Sequence, residues 1–195
     1  LEAGKSDEGD PAATDLNRLD DQTADYDWGF RAATLPGRPA ELGYARARLL
    51  GGCANHNDCA FIRPPDSDFD LWESLGATGW NAKALAPAYA RILERVTVET
   101  APCHPLSRAF LDAGRELGLP DVDFAREVRA GVGLFPLNAR GSLRQSSSIA
   151  YLHPLDRLPP HLEVRTRSMA QRILCDGRQA VGAETDRASV ASRSP

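Results

Sequence analysis

The residues of this chain best suited to chemistry lie between Gly51 and Cys59, where GGCANHNDC supplies two thiols, an imidazole, two carboxamides and a carboxylate. Two adjacent glycines let main chain approach a flat or charged group, because no Cβ stands in the way. The small and polar residues behind them are expected to open a helix whose unpaired N–H groups suit a phosphate, a carboxylate or the polar edge of a ring. The stretch reads as a cofactor contact.

Other local patterns imitate known chemistry. Cys53, His56 and Cys59 are spaced three apart, so on a helix they would offer zinc two thiolates and an imidazole, with a fourth ligand lacking unless Cys103 and His104 come near. Asp66, Asp68 and Asp70 begin like a calcium loop, but Leu71 and Ala77 stand where that loop needs Gly and Glu. Gly4, Lys5 and Ser6 match the end of a phosphate loop, yet Glu2 just upstream is poor company for a triphosphate. Ser146, Ser147 and Ser148 lack the flanking glycines of a nucleophile elbow and read as a helix cap.

The elements that must position these residues are mixed. A short helix is expected over Thr14 to Gln22, and the alternation in Tyr26-Asp27-Trp28-Gly29-Phe30 suggests a short strand broken by the Pro/Gly run at Leu35 to Pro39. Asp68 to Leu75 reads as a helix. Asn81 reads as the N-cap of another, with Leu85, Tyr89, Ile92 and Val96 at helical spacing and Pro87 in or before its first firm turn. Pro105 opens a helix in which Leu106, Phe110, Ala113 and Leu117 share a face, closed by Gly118 and Pro120. Beyond Gly131 the period becomes extended. Strands are expected over Val132 to Leu137, Leu162 to Thr166, Met169 to Leu174 and Ala180 to Glu184, with turns at Arg140 to Ser142 and at Asp176-Gly177, and a short helix after Ser146. The expected class is mixed α and β, with the β part largely antiparallel.

The 195 residues suit roughly one domain, and 42% hydrophobic residues suffice for a core. A net charge of −4, with Lys and Arg scattered, argues against nucleic acid. No run approaches the ~18 apolar residues of a spanning helix. The expected setting is cytoplasmic, with the four cysteines reduced. Leu1 opens the chain without a Met, and Asp186 to Pro195 is a weakly patterned tail, so residues 1–185 are expected to be part of a longer fold truncated at both ends, and 186–195 a disordered tail.

The run RARLLGGCANHNDCAF at 46–61, then Asp68, Asp70, Trp72, Gly76 and TGWNAKAL at 78–85, resembles the glucose–methanol–choline (GMC) family of flavoprotein oxidoreductases, and within it the choline-oxidising members. Tyr26-Asp27-Trp28, RQSSSIAYLHP at 144–154 and LEVRTRSMAQRIL at 162–174 follow in family order. The resemblance implies part of a Rossmann-like FAD-binding domain, in which Leu1 to Gly4 ends the second strand and Glu2 holds the adenosine ribose. It implies that Gly51, Gly52 and Cys53 lie along FAD together with Asn55, that Asn57 donates to the ring, and that the backbone at Ala170 meets adenine. His56 takes the position that bonds covalently to the flavin 8α-methyl carbon in choline-oxidising members; the alternative is that it only packs near the ring.

Asp58 departs from the small neutral or hydroxyl residue expected beside the flavin; a buried carboxylate there would oppose the charge of reduced flavin unless paired or protonated, and the alternatives are that it favours a cationic substrate or that it points away and caps the helix. The phosphate-binding glycine turn and the catalytic His region of the family have no counterpart in these residues, so no catalytic residue is assigned. The implied activity is hydride transfer from a CH–OH donor, a choline-like or other alcohol, to flavin N5, with oxygen or another acceptor reoxidising the flavin. The chain alone is expected to be inactive and to bind FAD poorly. Assembly as a homodimer is left open, and nucleic acid and membrane are not expected partners. Two alternatives remain: a non-catalytic module holding zinc through Cys53, His56 and Cys59, or an inactive truncated product.

Overall fold

The computed structural model describes residues 1–33, 41–155 and 158–191. The expected break at Leu35 to Pro39 and the end of the tail lie outside the described residues. The chain divides into two compact units, one of Leu1–Asn57 with Ser146–Pro195, the other of Asp58–Gln145. Every paired strand is antiparallel and the sheets are small, in keeping with the mixed class read from the sequence.

In the first unit, α1 (Pro11–Thr14) begins where Asp10 Oδ1 accepts from Ala12 N and Pro11 needs no donor partner. Asp15 then caps a 3₁₀ segment over Leu16–Asp21, kinked at Arg18. The single helix expected here is divided because these two Asp residues each cap a separate turn. Ala12, Ala13, Tyr26, Ala47 and Leu49 close into a buried apolar cluster. Gly4 lies so near Arg48 that a Cβ would sit 1.8 Å from its carbonyl oxygen, so only glycine permits the approach that lets Leu50 N donate to Lys5 O. The strand expected over Tyr26–Phe30 does not form. Tyr26 ends a 3₁₀ turn, Asp27 makes a single bridge to Ala47, and Gly29 at φ +68° interrupts the ladder. β1 (Arg31–Ala33) starts just beyond and pairs with β2 (Glu41–Gly43).

Leu162 to Thr166 is extended but forms no ladder of its own. Arg165 O accepts from Glu2 N, and Arg167 N donates to Gly4 O. These bonds lay the segment along the chain's first residues. Later in the chain, β7 (Ala170–Asp176) and β8 (Gln179–Thr185) form the expected hairpin, with Gly177 at φ +56° in its turn. β9 (Ser189–Ala191) adds a third strand.

In the second unit, α2 (Asp66–Ser74) and α3 (Ala82–Leu93) pack through Phe69, whose ring meets Trp72 edge-on at 5.5 Å and Tyr89 at 5.8 Å. Asn81 caps α3 as expected, accepting from Ala84 N at 2.8 Å, while Pro87 lies within the helix rather than at its start. α4 (Pro105–Glu116) buries Leu111 and Gly114, and a Cβ on Gly114 would meet Val132 Cγ1 at 2.4 Å. The apolar face read from the sequence points outward, Leu106 being 74% and Phe110 73% exposed. β3 (Glu99–Thr100) pairs with β4 (Pro136–Leu137), and β5 (Ala139–Arg140) with β6 (Leu143–Arg144) around Gly141. The strand expected over Val132–Leu137 shortens to its last two residues, because Val132 N turns to Pro120 O and its carbonyl to Val122 N. No helix among the described residues is long and apolar enough to cross a membrane.

Candidate functional site

Leu49 is fully buried, and the chain turns away from it through Gly51 at φ +89° and Gly52 at φ +58°. This conformation costs an L-residue about 1–2 kcal/mol, so the glycine pair is a geometric requirement. The helix expected behind it is only one 3₁₀ turn, Gly52–Asn55, after which both His56 N and Asn57 N donate to Cys53 O. A Cβ on Gly51 would collide with Asn55 Nδ2 at 2.4 Å and Ser148 Oγ at 2.5 Å, whereas one on Gly52 would meet nothing within 4 Å. One glycine is therefore sealed into the fold and its neighbour faces open space.

Beneath the turn lies a polar core that the sequence did not announce. Asp7 is 0% exposed. Its Oδ2 accepts from Asn55 Nδ2 at 2.9 Å and from the Ser148 hydroxyl, while His153 Nε2 lies 3.1 Å from Oδ1. Asn55 Nδ2 also donates to Leu50 O, which fixes the amide and leaves Asn55 Oδ1 buried without a hydrogen-bond partner. Ser146 Oγ lies 2.9 Å from Ser148 Oγ and accepts from Ile149 N, capping α5 (Ser147–Tyr151) as the sequence predicts. The carboxylate thus ties the Gly-Gly turn to α5.

His56 is half-buried beside the turn. Its Nδ1 lies 2.7 Å from Gln22 Oε1, and Gln22 Nε2 donates to Ala12 O at 2.9 Å and Asn55 O at 2.7 Å. On the other side, His56 Nε2 stands 3.9 Å from Asp27 Oδ2. Asp27 is held in turn by Gly29 N on Oδ1 and Arg46 N on Oδ2. Gln22 carries no motif; its role is visible only in three dimensions.

The other residues singled out from the sequence are dispersed. Glu2 Oε1 accepts from Gly4 N at 2.6 Å, and Ser168 N donates to Glu2 O, which brings the approach to Ala170 alongside Glu2. Ala170 is exposed at the first position of β7, opposite Thr185. Cys53 is exposed and its sulfur accepts from Ala47 N at 3.4 Å. Asn57 is exposed at the end of the turn. Asp58 is exposed as the first residue of the second unit, where it lines a cavity of about 710 Å³ together with Phe110, Leu134 and Phe135. Cys59 is buried at φ +59°, and burial pushes its thiol pKa up. Among the described residues no group of three His, Cys, Asp or Glu side chains is arranged to hold a metal ion.

A second charged cluster steadies the first unit. Lys5 Nζ lies 3.0 Å from Asp10 Oδ2, which also accepts from Tyr26 OH at 2.8 Å, and the ammonium sits 3.8 Å from the Tyr26 ring centroid. Burial works to raise the Asp10 pKa, but the Tyr26 hydroxyl and the Lys5 ammonium outweigh it and hold the carboxyl below its usual range. The Tyr26 contact and the Asp10 charge raise that of Lys5.

Choline oxidase of Arthrobacter globiformis is 33% identical over 176 residues, covering 80% of this chain and 32% of that protein. The mitochondrial choline dehydrogenase of Mus musculus is 31% identical over 192 residues, covering 89% of this chain and 31% of its own. The chain spans about a third of the length of these relatives. The crystal structure of pyridoxine 4-oxidase from Mesorbium loti superposes with a TM-score of 0.81 at 25% identity, over 98% of this chain and 42% of that one. The fold described above is thus part of the fold of these enzymes. With the GMC oxidoreductase model matching residues 31–193, the chain belongs to the GMC oxidoreductase family, a family of FAD-dependent flavoproteins.

Proposed function

We propose that the turn from Gly51 to Asn57, with Glu2 and the start of β7 at Ala170, forms part of the wall of an FAD site in an oxidoreductase that takes hydride from a CH–OH donor. The observation that carries this reading is Gly52, held at φ +58° with open space where a Cβ would stand, inside a chain that matches the GMC oxidoreductase model. The buried, unpartnered Asn55 Oδ1 beneath the turn also fits a site whose full set of polar contacts includes a bound group.

When bound, FAD supplies the hydride acceptor, its N5 atom. The protein's share is placement. Gly51 and Gly52 let the main chain lie close to the cofactor along with Cys53, while Asn55, fully buried, holds the turn from beneath. Asn57 offers an amide donor, Glu2 offers its carboxylate to ribose hydroxyls, and the Ala170 backbone meets adenine. Within the second unit, Asp58 lines the cavity with Phe110, Leu134 and Phe135, and a carboxylate there favours a cationic alcohol such as a choline-like one. His56 is the residue for covalent attachment through a ring nitrogen. FAD would supply the methyl carbon for that link, and His56 would supply the ring nitrogen. The substrate alcohol and the working electron acceptor, oxygen or another, belong to the same proposal.

The test uses the full-length product of the reading frame that contains this sequence. A flavin absorbance spectrum, bleached by choline or a related alcohol, is the expected result, and yellow colour retained in the acid precipitate marks covalent attachment. A colourless product that gains no flavin on reconstitution would overturn the reading.

A further inference from the structure

We propose that Gln22 is a positioning residue that holds His56 as its Nδ1–H tautomer and leaves Nε2, the nitrogen on the Asp27 side, without a proton. The amide of Gln22 cannot be turned around. Its Nε2 donates to two carbonyl oxygens, Ala12 O and Asn55 O, and the reversed amide would set an acceptor against both. Oε1 therefore faces His56, and an amide oxygen only accepts. At 2.7 Å from that oxygen, Nδ1 must carry the hydrogen. A neutral imidazole has one ring proton, so Nε2 keeps its lone pair.

The surroundings of Nε2 agree with that assignment. Asp27 Oδ2 at 3.9 Å is too far to accept a hydrogen bond, so the structure does not call for a proton on Nε2. The same carboxylate is near enough to favour positive charge on the ring once Nε2 acquires a substituent. It is itself fixed by Arg46 N and Gly29 N. Two side chains thus prepare the imidazole as a nucleophile: Gln22 through the proton and Asp27 through charge. Gln22 also clamps α1 to the Gly-Gly turn, so the ring is oriented by the segment that would meet the cofactor.

The purpose assigned to this arrangement rests on the attachment reading above, but the tautomer can be measured without flavin. Full-length protein labelled with nitrogen-15 histidine is expressed under riboflavin limitation, and its ring nitrogens are observed at about pH 8, above the ordinary range of imidazole titration. His56→Gln assigns the signals. Nδ1 is expected at the shift of a protonated ring nitrogen and Nε2 at that of a bare one; the reverse assignment overturns the proposal. Gln22→Met removes the acceptor and is expected to move the ring toward Nε2–H and to slow acid-stable flavin incorporation about tenfold, the equivalent of one hydrogen bond. An unchanged tautomer in that variant also overturns it. Gln22→Glu keeps an acceptor toward Nδ1 while losing both carbonyl bonds, so a retained tautomer there separates positioning from a merely structural clamp. A bare Nε2 in a protein that never holds acid-stable flavin would uphold the tautomer and sink the attachment reading.

Discussion

Gly51→Ala and Gly52→Ala make a matched pair, because both glycines have positive φ but only one has neighbours. Each substitution forces an L-residue into left-handed backbone, at about 1–2 kcal/mol. At Gly52 nothing stands within 4 Å of the new Cβ, so that strain is the whole cost. At Gly51 the new carbon arrives 2.4 Å from Asn55 Nδ2 and 2.5 Å from Ser148 Oγ, the two groups that donate to Asp7 Oδ2. Displacing either takes a charge-assisted bond from a fully buried carboxylate, worth about 1.5–3 kcal/mol. Gly51→Ala is therefore expected to cost about 2.5–5 kcal/mol, a large share of the 5–15 kcal/mol typical of a folded domain. Urea unfolding followed by circular dichroism, with the slope checked for constancy, measures both variants. Flavin binding should reverse the order of interest, since Gly52→Ala leaves a folded protein with a methyl group in the proposed cofactor slot. Equal destabilisation by the two substitutions would refute the claim that Gly51 is sealed against the Asp7 network.

Three further outcomes follow from the same geometry. The Lys5–Asp10–Tyr26 cluster sets a pH window: Asp10, with its pKa lowered, adds stability above its ordinary value of 3.8 that is lost as acid takes the pH below it, and Lys5, raised from 10.5, adds stability at lower pH that is lost as alkali passes above it. Lys5→Met should flatten both limbs in thermal melts recorded across pH. Asn81→Ala removes the cap on α3 and should cost about 1 kcal/mol by chemical denaturation. In the native protein the exposed Cys175 should alkylate with iodoacetamide well before the buried Cys59, whose thiolate is disfavoured by burial, as peptide mass spectrometry would show.

What could be read from the residues divides along a physical line. Signals completed within a few positions were legible: Asn81 and Ser146 as caps, Asp176-Gly177 as a hairpin turn, Pro105 as a helix start. Elements whose partners lie far away were not. Val132 has the composition of a strand residue, yet its backbone is taken by Pro120 and Val122. The apolar face of α4 was legible as a stripe, but periodicity says nothing of which side is covered, and Leu111 and Gly114 are the residues turned inward. At the site, the glycine pair and His56 stood out by type. Asp7, Gln22 and Ser148 did not, because a carboxylate, an amide and a hydroxyl acquire meaning only from bonds spanning distant parts of the chain.

The Asp7 carboxylate also imposes an order on biosynthesis. Its partner Ser148 is 141 positions further along, while Asn55 is 48 positions away. At roughly 5–20 residues per second, the glycine turn emerges from the ribosome many seconds before the hydroxyl that locks it. Until then Asn55 can already donate to the carboxylate, while the positions taken by Ser148 and His153 are left to water. The tie between the glycine turn and α5 is thus closed late in the synthesis of this unit, well after Asp7 and Asn55 have been made.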